Sequence, residues 1–251
     1  MGGWVASVEA WENFSDDWDR ELHRAPAIPY FKQKEANSKT EQFAGWAEAD
    51  INLKTFRLAQ VVDRHIDPRR KQYGILTGLK PEVLRILLRL SVAAKKQVRS
   101  ALKMTEPYDF CFHSVIGMVL LHQHFNLREN KFVDFIFDTH SSFERCEKIH
   151  REVKGLMLPE LAAIAGTITE GDDKQLAPLQ AADLLVGQAT KNLKQGKPDK
   201  PFLLLARGQR ILFAPLRWGE DAALTGFAET LEVFNSVWLR EVVGKASRKK
   251  P

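Results

Sequence analysis

Apolar residues recur at helical spacing close to the beginning of the chain. They follow one another at steps of three or four residues, which places them on one face of a helix. The stripe consists of Trp11, Phe14, Trp18 and Leu22. Ser7 precedes it, and a serine side chain accepts a hydrogen bond from the free amides of a first helical turn. The pattern predicts a helix from Val8 to about Arg24 whose aromatic face packs into the core.

The same reading divides the remaining chain into alternating strands and helices. The predicted strands are Gly2 to Ser7, Lys71 to Thr77, Phe132 to Asp138 and Ile164 to Thr169. The further predicted helices are Ser38 to about His65, Glu82 to about Lys103, Pro107 to about His124, Ser142 to Leu156, Leu179 to Leu193 and Ala222 to Val243. Ile28 to Lys34 is predicted to be extended, and 196–201 is predicted to be a loop. This alternation predicts an α/β architecture.

The segment from Phe132 to Asp138 carries the clearest strand pattern. Aromatic and β-branched residues follow one another almost without interruption, which is typical of a strand covered on both faces. It ends in Asp138, and Glu35 comes at the end of the earlier extended segment. Functional groups in α/β sheets gather beyond strand ends, so both carboxylates are candidate site residues.

Asp183 lies within a predicted helix of apolar residues. A carboxylate is costly to bury unless it is hydrogen-bonded, paired with a cation or bound to a metal. The segment by itself leaves two interpretations open. Asp183 is either bonded to a nearby backbone group or arginine, or it belongs to a functional site.

Several segments together resemble an uncharacterised protein family. They are Gly2-Gly3-Trp4-Val5-Ala6-Ser7 with Trp11 and Trp18, Tyr30-Phe31-Lys32 with Glu35, Phe43-Ala44-Gly45-Trp46, Phe135-Ile136-Phe137-Asp138, and Asp173-Lys174 with Pro178-Leu179-Gln180-Ala181-Ala182-Asp183. Over roughly Gly2 to Gln188 the chain resembles the family called domain-of-unknown-function 3800. The Gln180-to-Asp183 segment and the strand that ends in Asp138 are the most specific parts of this resemblance.

The resemblance implies an RNase H-like fold and a nuclease activity, in a family often found near bacterial mobile elements or defence genes. It implies that the metal-binding and catalytic carboxylates are Glu35, Asp138 and Asp183. The expected supporting residues are Asp173, Gln180 and His140. Such a site takes Mg²⁺ or Mn²⁺, which prefer oxygen ligands, and its expected substrate is DNA or RNA.

One departure from the family pattern concerns the first strand. Members carry an Asp-x-Ser-Gly motif on a strand upstream of the segment with which this sequence opens, and no such motif occurs here. The family's first-strand aspartate would be a principal metal ligand. We therefore expect either a start placed too late or a truncated, inactive member, with an exposed strand edge near Trp4.

These observations give a specific expectation for the fold. Residues 1–195 are expected to form an RNase H-like mixed sheet flanked by helices, with a helical insertion at about 80–126. Residues 196–251 are expected to be a C-terminal extension with one helix and the basic tail Arg248 to Lys250. The expected function is a metal-dependent phosphodiesterase, and the alternative is a catalytically inactive module that binds nucleic acid or protein.

Composition narrows the function classes only slightly. The chain has 251 residues and a net charge of +5, which permits a nucleic-acid partner without requiring one. Two cysteines form no disulfide framework, and the expected location is cytoplasmic, without a signal peptide or membrane helix. The sequence has no nucleophile elbow, phosphate-binding loop or dinucleotide fingerprint. Glu147 and His150 have the Glu-x-x-His spacing of di-iron helices, but a single copy predicts only surface charge.

Overall fold

The computed structural model describes residues 1–77, 106–155 and 157–214. The predicted helices Glu82–Lys103 and Ala222–Val243 and the basic tail lie outside the described residues. The chain divides into two compact units. The first comprises residues 1–76, 136–140 and 169–213, and the described part of the second comprises 77, 106–135, 141–155, 157–168 and 214.

Helices and strands are both present, so the chain is of the mixed α/β class. The elements in chain order are β1 (Gly2–Val5), α1 (Val8–His23), α2 (Gln33–Ser38), α3 (Glu48–His65), β2 (Tyr73–Thr77), α4 (Pro107–Leu121), β3 (Val133–Asp138), α5 (Phe143–Lys154), α6 (Pro159–Ile164), β4 (Ala165–Gly171), α7 (Ala177–Gln195), α8 (Lys200–Leu205) and β5 (Ile211–Ala214). A π-helical turn, His122–Asn126, continues α4. In the described residues, no helix has the length and apolar character needed to cross a membrane.

Helix α1 confirms the prediction made from its apolar stripe. The hydroxyl of Ser7 accepts a hydrogen bond from the backbone N–H of Ala10, as an N-cap residue does. Phe14, Trp18 and Leu22 are buried in the core of the first unit, where α1 packs against α3 and α7. Apolar periodicity and a capping residue therefore sufficed to locate this helix.

The predicted helix from Ser38 to His65 is wrong in its first part. Helix α2 ends at Ser38, and Lys39 follows with a left-handed backbone (φ 53°). Gly45 also has a positive φ of 78°, a conformation in which glycine has no Cβ penalty. The long helix therefore begins only at Glu48.

The extended segment predicted for Ile28 to Lys34 is also too long. The backbone of Lys32 is extended, but α2 begins at Gln33. Glu35 therefore lies in the first turn of a short helix rather than at the end of an extended segment. The helices α6 and α8 and the strand β5 were not predicted either, and α8 includes the last two residues of the predicted loop 196–201.

The first sheet has the strand order β1-β2-β5. Strands β1 and β2 are antiparallel, with Gly2 opposite Leu76 and Val5 opposite Tyr73. Among the described strands, β1 therefore lies at an edge, as the sequence predicted. The indole N–H of Trp4 in β1 donates to the carbonyl oxygen of Ala181 in α7 at 3.0 Å, which attaches this edge strand to the helix that carries Asp183.

The second sheet pairs β3 with β4. The prediction that β3 is covered on both faces is wrong, because only Phe135 is buried in this strand and Ile136 is 53% exposed. In the same strand, the carboxylate of Asp134 accepts hydrogen bonds from the backbone N–H and the hydroxyl of Thr167 in β4. A run of apolar residues was therefore mistaken for a central strand.

The second unit has an apolar core of its own. Helix α4 packs against α5 and α6, and the rings of Phe112 and Phe143 meet edge to face with centroids 6.3 Å apart. The other buried apolar residues of these helices include Ile116, Leu120, Ile149 and Leu161.

Candidate functional site

Asp183 is held between α7 and the start of α2. Its Oδ2 accepts a hydrogen bond of 2.6 Å from the backbone N–H of Gln33. The helices approach this closely because Gly187, one turn after Asp183, has no side chain, and a Cβ there would lie 2.1 Å from Cγ of Gln33. Burial raises the pKa of Asp183, although the hydrogen bond from Gln33 acts in the opposite direction. Asp183 thus has the backbone partner that one of the two sequence interpretations required.

Asp138 and Asp173 come from the ends of the two-stranded sheet. Asp138 is the last residue of β3, and Asp173 follows β4 by two residues. Partial burial raises the pKa of Asp138, and the negative charge of Asp173 raises it further. Asp173 and Asp138 also raise the pKa of Asp183. The fold therefore brings three carboxylates close enough to repel one another.

Lys32 provides the positive charge within this group. Its Nζ lies 2.6 Å from Oδ2 of Asp173, whose side chain is 8% exposed. The hydrogen bond to Asp173 raises the pKa of Lys32, and the charges of Asp138 and Asp183 act in the same direction. We refer to Lys32, Asp138, Asp173 and Asp183 as the acidic cluster. All four residues belong to the first unit.

Glu35 has different partners from those of the acidic cluster. Its Oε1 accepts a hydrogen bond of 3.3 Å from the hydroxyl of Tyr30. Its Oε2 is buried without a hydrogen-bond partner in the part of the chain that the structure describes. Its predicted role as a metal ligand stays a prediction.

Gln180 joins three segments of the first unit. Its Oε1 accepts hydrogen bonds of 2.9 Å from the indole N–H of Trp18 and from the backbone N–H of Phe31. Its Nε2 donates to the carbonyl oxygen of Lys174. These three hydrogen bonds satisfy the buried side-chain amide of Gln180. They also hold α1 and the chain before α2 against α7. Any effect of Gln180 on Asp183 would act through this packing.

His140 lies two residues after Asp138 and is exposed. Its backbone N–H donates to Oε1 of Glu170 at 3.1 Å. The structure therefore places its backbone beside the end of β4. Its predicted role in supporting the acidic site stays a prediction.

The acidic cluster has the donor chemistry of a divalent-cation site. Three carboxylates and one ammonium leave two negative charges when all four groups are ionised, which a divalent cation would neutralise. Within the described ranges, however, no group of three or more His, Cys, Asp or Glu side chains is placed to hold a metal ion. A cation would therefore have to be held by fewer protein ligands and several waters, as is common for Mg²⁺.

Lys32 is the member of the cluster to which sequence reasoning assigned no role. The residue belongs to one of the segments that carry the family resemblance, but its partner Asp173 lies 141 positions later in the chain. The only signal in the sequence was that Lys32 precedes the candidate residue Glu35 by three positions. That signal is too common to identify an ion pair.

Comparison with protein-family models, with curated proteins and with solved structures finds no match to this chain.

Proposed function

We propose that the chain is a divalent-metal-dependent phosphodiesterase of RNase H-like fold that acts on DNA or RNA. The observation that carries this proposal is the convergence of Asp138, Asp173 and Asp183 around Lys32 in the first unit. The second support is the resemblance of several segments to domain-of-unknown-function 3800 that the sequence suggests, although no family model matches the chain. Mg²⁺ or Mn²⁺ would be the cation, since both take carboxylate oxygens and water as ligands.

In this proposal Asp138 and Asp183 hold the cation. A bound divalent ion polarises a phosphoryl oxygen and lowers the pKa of a bound water. The chain itself fixes the position of Asp183 through the backbone N–H of Gln33. Asp173 orients Lys32, and the ammonium of Lys32 faces an anionic substrate because its side chain remains 30% exposed.

The alternative function is a non-catalytic module that binds nucleic acid or protein. The ion pair between Lys32 and Asp173 favours it, because a lysine ammonium supplies part of the positive charge that a metal would otherwise bring. The lack of a three-ligand group among the described residues points in the same direction. This alternative predicts that binding survives the loss of Asp138 and Asp183.

The test compares cleavage of labelled single-stranded and double-stranded DNA and RNA in Mg²⁺ or Mn²⁺. Asp183→Asn is the informative variant, because an amide oxygen still accepts the hydrogen bond from Gln33. We expect cleavage to fall by at least about 100-fold, since a charge that stabilises the transition state contributes several kcal/mol. Asp16→Asn, a change at an exposed carboxylate of α1, is the matched control.

Binding of the cation is measured separately from cleavage. Mn²⁺ is expected to raise the melting temperature of the wild type and to have a smaller effect on Asp183→Asn. Cleavage that is unchanged by Asp183→Asn would contradict the catalytic proposal. Nucleic-acid binding without cleavage, and unaffected by this substitution, would support the non-catalytic alternative.

A further inference from the structure

A row of polar side chains runs along the interface between α4 and α5 in the second unit. The hydroxyl of Ser142 donates to Oε2 of Glu106 at 3.0 Å, just before both helices. One turn later, Cys146 donates to Asp109 through its thiol. From the first pair to the second, the residue number increases on both segments. The two helices therefore run in the same direction.

His113 and His150 form the next level of this interface. Their ring centroids are 6.3 Å apart and their planes differ by 13°. His150 follows Cys146 by one turn of α5, and His113 follows Asp109 by one turn of α4. Helical periodicity therefore places both imidazoles on the facing sides of the two helices.

Three ring nitrogens at this level are buried without hydrogen-bond partners in the described residues. They are Nε2 of His113 and both nitrogens of His150. His150 is only 4% exposed, so the earlier prediction that it contributes surface charge is wrong. A buried polar atom without a partner costs about 1–3 kcal/mol, and native proteins contain few of them. The arrangement therefore favours a bound group that interacts with these nitrogens.

The chemistry of the side chains favours a cation as that group. Burial and the neighbouring imidazole of His150 lower the pKa of His113 to about 4, against a smaller opposing effect of Asp109. Burial lowers the pKa of His150 as well, and Lys154 acts in the same direction. Both rings are therefore shielded from water, and imidazole is the commonest metal ligand among protein side chains.

The separation of the rings is close to that needed for ligation of one ion. An imidazole nitrogen lies about 2.1 Å from bound zinc, so tetrahedral ligation places the ring centres of two histidines roughly 5–5.5 Å apart. The observed 6.3 Å exceeds this separation by about 1 Å, so zinc binding would draw the two rings together. Cys146 does not complete the site, because burial raises the pKa of its thiol to about 12 and the thiol donates to Asp109.

We propose that His113 and His150 form a two-histidine binding site for a first-row transition-metal ion such as Zn²⁺. Imidazole nitrogen suits this class of ion, and water or another small ligand would complete its coordination. The site belongs to the second unit and is independent of the acidic cluster and of the proposed phosphodiesterase activity.

The test uses the full chain after removal of metals with a chelator. We expect Zn²⁺ to bind saturably and to raise the melting temperature by roughly 5–10 °C at about 100 times the dissociation constant. Co²⁺ is expected to give visible absorption bands typical of nitrogen ligation. His113→Leu and His150→Gln should each abolish these bands and most of the Zn²⁺-dependent shift.

Two matched variants make the result specific. His23→Gln removes a histidine whose side chain is 66% exposed in the first unit, and Asp16→Asn removes an exposed carboxylate of α1. Both should retain the Zn²⁺ response. If His113→Leu does not fold, His150→Gln still tests the site, because glutamine keeps a polar side chain at that position. The proposal is overturned if the wild type shows no saturable Zn²⁺ binding, or if the shift persists in both variants of the histidine pair.

Discussion

Lys54 provides the sharpest stability prediction for the first unit. This lysine lies on α3 and is only 1% exposed. Its ammonium donates to the carbonyl oxygens of Glu21, Leu22 and Arg24 at 2.7, 3.3 and 2.7 Å. The last carbonyl groups of a helix have no partners within the helix, so Lys54 satisfies the C-terminal end of α1. Lys54→Met would keep a flexible apolar side chain and remove the donors.

The expected loss of stability follows from these three hydrogen bonds. A hydrogen bond to a charged group contributes about 1.5–3 kcal/mol, but burial of the ammonium offsets part of the sum. That offset is evident because burial lowers the pKa of Lys54. The carbonyl oxygens of Glu21 and Leu22 would keep their hydrogen bonds from the backbone N–H groups of Arg24 and Ile28, whereas the carbonyl oxygen of Arg24 would lose the ammonium that donates to it. We expect Lys54→Met to lower the free energy of unfolding by about 3 kcal/mol.

The measurement is urea denaturation followed by circular dichroism and tryptophan fluorescence at neutral pH. A loss of this size corresponds to a fall in melting temperature of about 6–12 °C for a chain of this length. Lys34→Met, at an exposed position of α2, is the matched control and should change stability by less than about 0.5 kcal/mol. The reasoning is refuted if Lys54→Met costs no more than this control.

Two further substitutions test the acidic cluster and its support. Lys32→Met removes the ammonium that competes with a cation, so Mn²⁺ should bind about tenfold more tightly by calorimetry; an unchanged or weaker affinity would contradict that role. Gly187→Ala should lower the free energy of unfolding by about 1–2 kcal/mol, because the new methyl group collides with Gln33. Helix propensity alone favours alanine by about 1 kcal/mol, so a more stable variant in urea denaturation would disprove the close contact.

Local patterns were sufficient for the elements whose partners are local. The apolar stripe and serine cap of α1 are properties of one short segment, and the structure confirms them. The predicted helix from Leu179 to Leu193 corresponds to α7, Ala177–Gln195. Both helices bury most of one face, so their periodicity carries the information needed to locate them.

The errors occurred where backbone geometry or long-range pairing decides the outcome. A left-handed backbone at Lys39 and Gly45 interrupts a segment whose composition favours a continuous helix. The apolar composition of β3 does not reveal how many strands pair with it. Among the described strands, it pairs with β4 alone. Neither feature has a clear signal in the residue types themselves.

The candidate site was predictable only in part for the same reason. Asp138 and Asp183 were identified from their local context and the family resemblance, and the fold brings them into the same cluster. The ammonium of Lys32 was missed because its partner is distant in sequence. His150 was misjudged because the opposing helix that buries it cannot be identified from a Glu-x-x-His spacing.

The hydrogen bond between Gln33 and Asp183 also has a consequence for how the protein is made. Its partners are separated by 150 positions, and the bond from Trp18 to Gln180 spans 162. Ribosomes add about 5–20 residues per second, so roughly 8–30 s pass between the synthesis of the first partner of each bond and that of the second. During that time α1 has no α7 to cover its aromatic face. The nascent chain therefore exposes part of an apolar surface that the folded protein buries in its core.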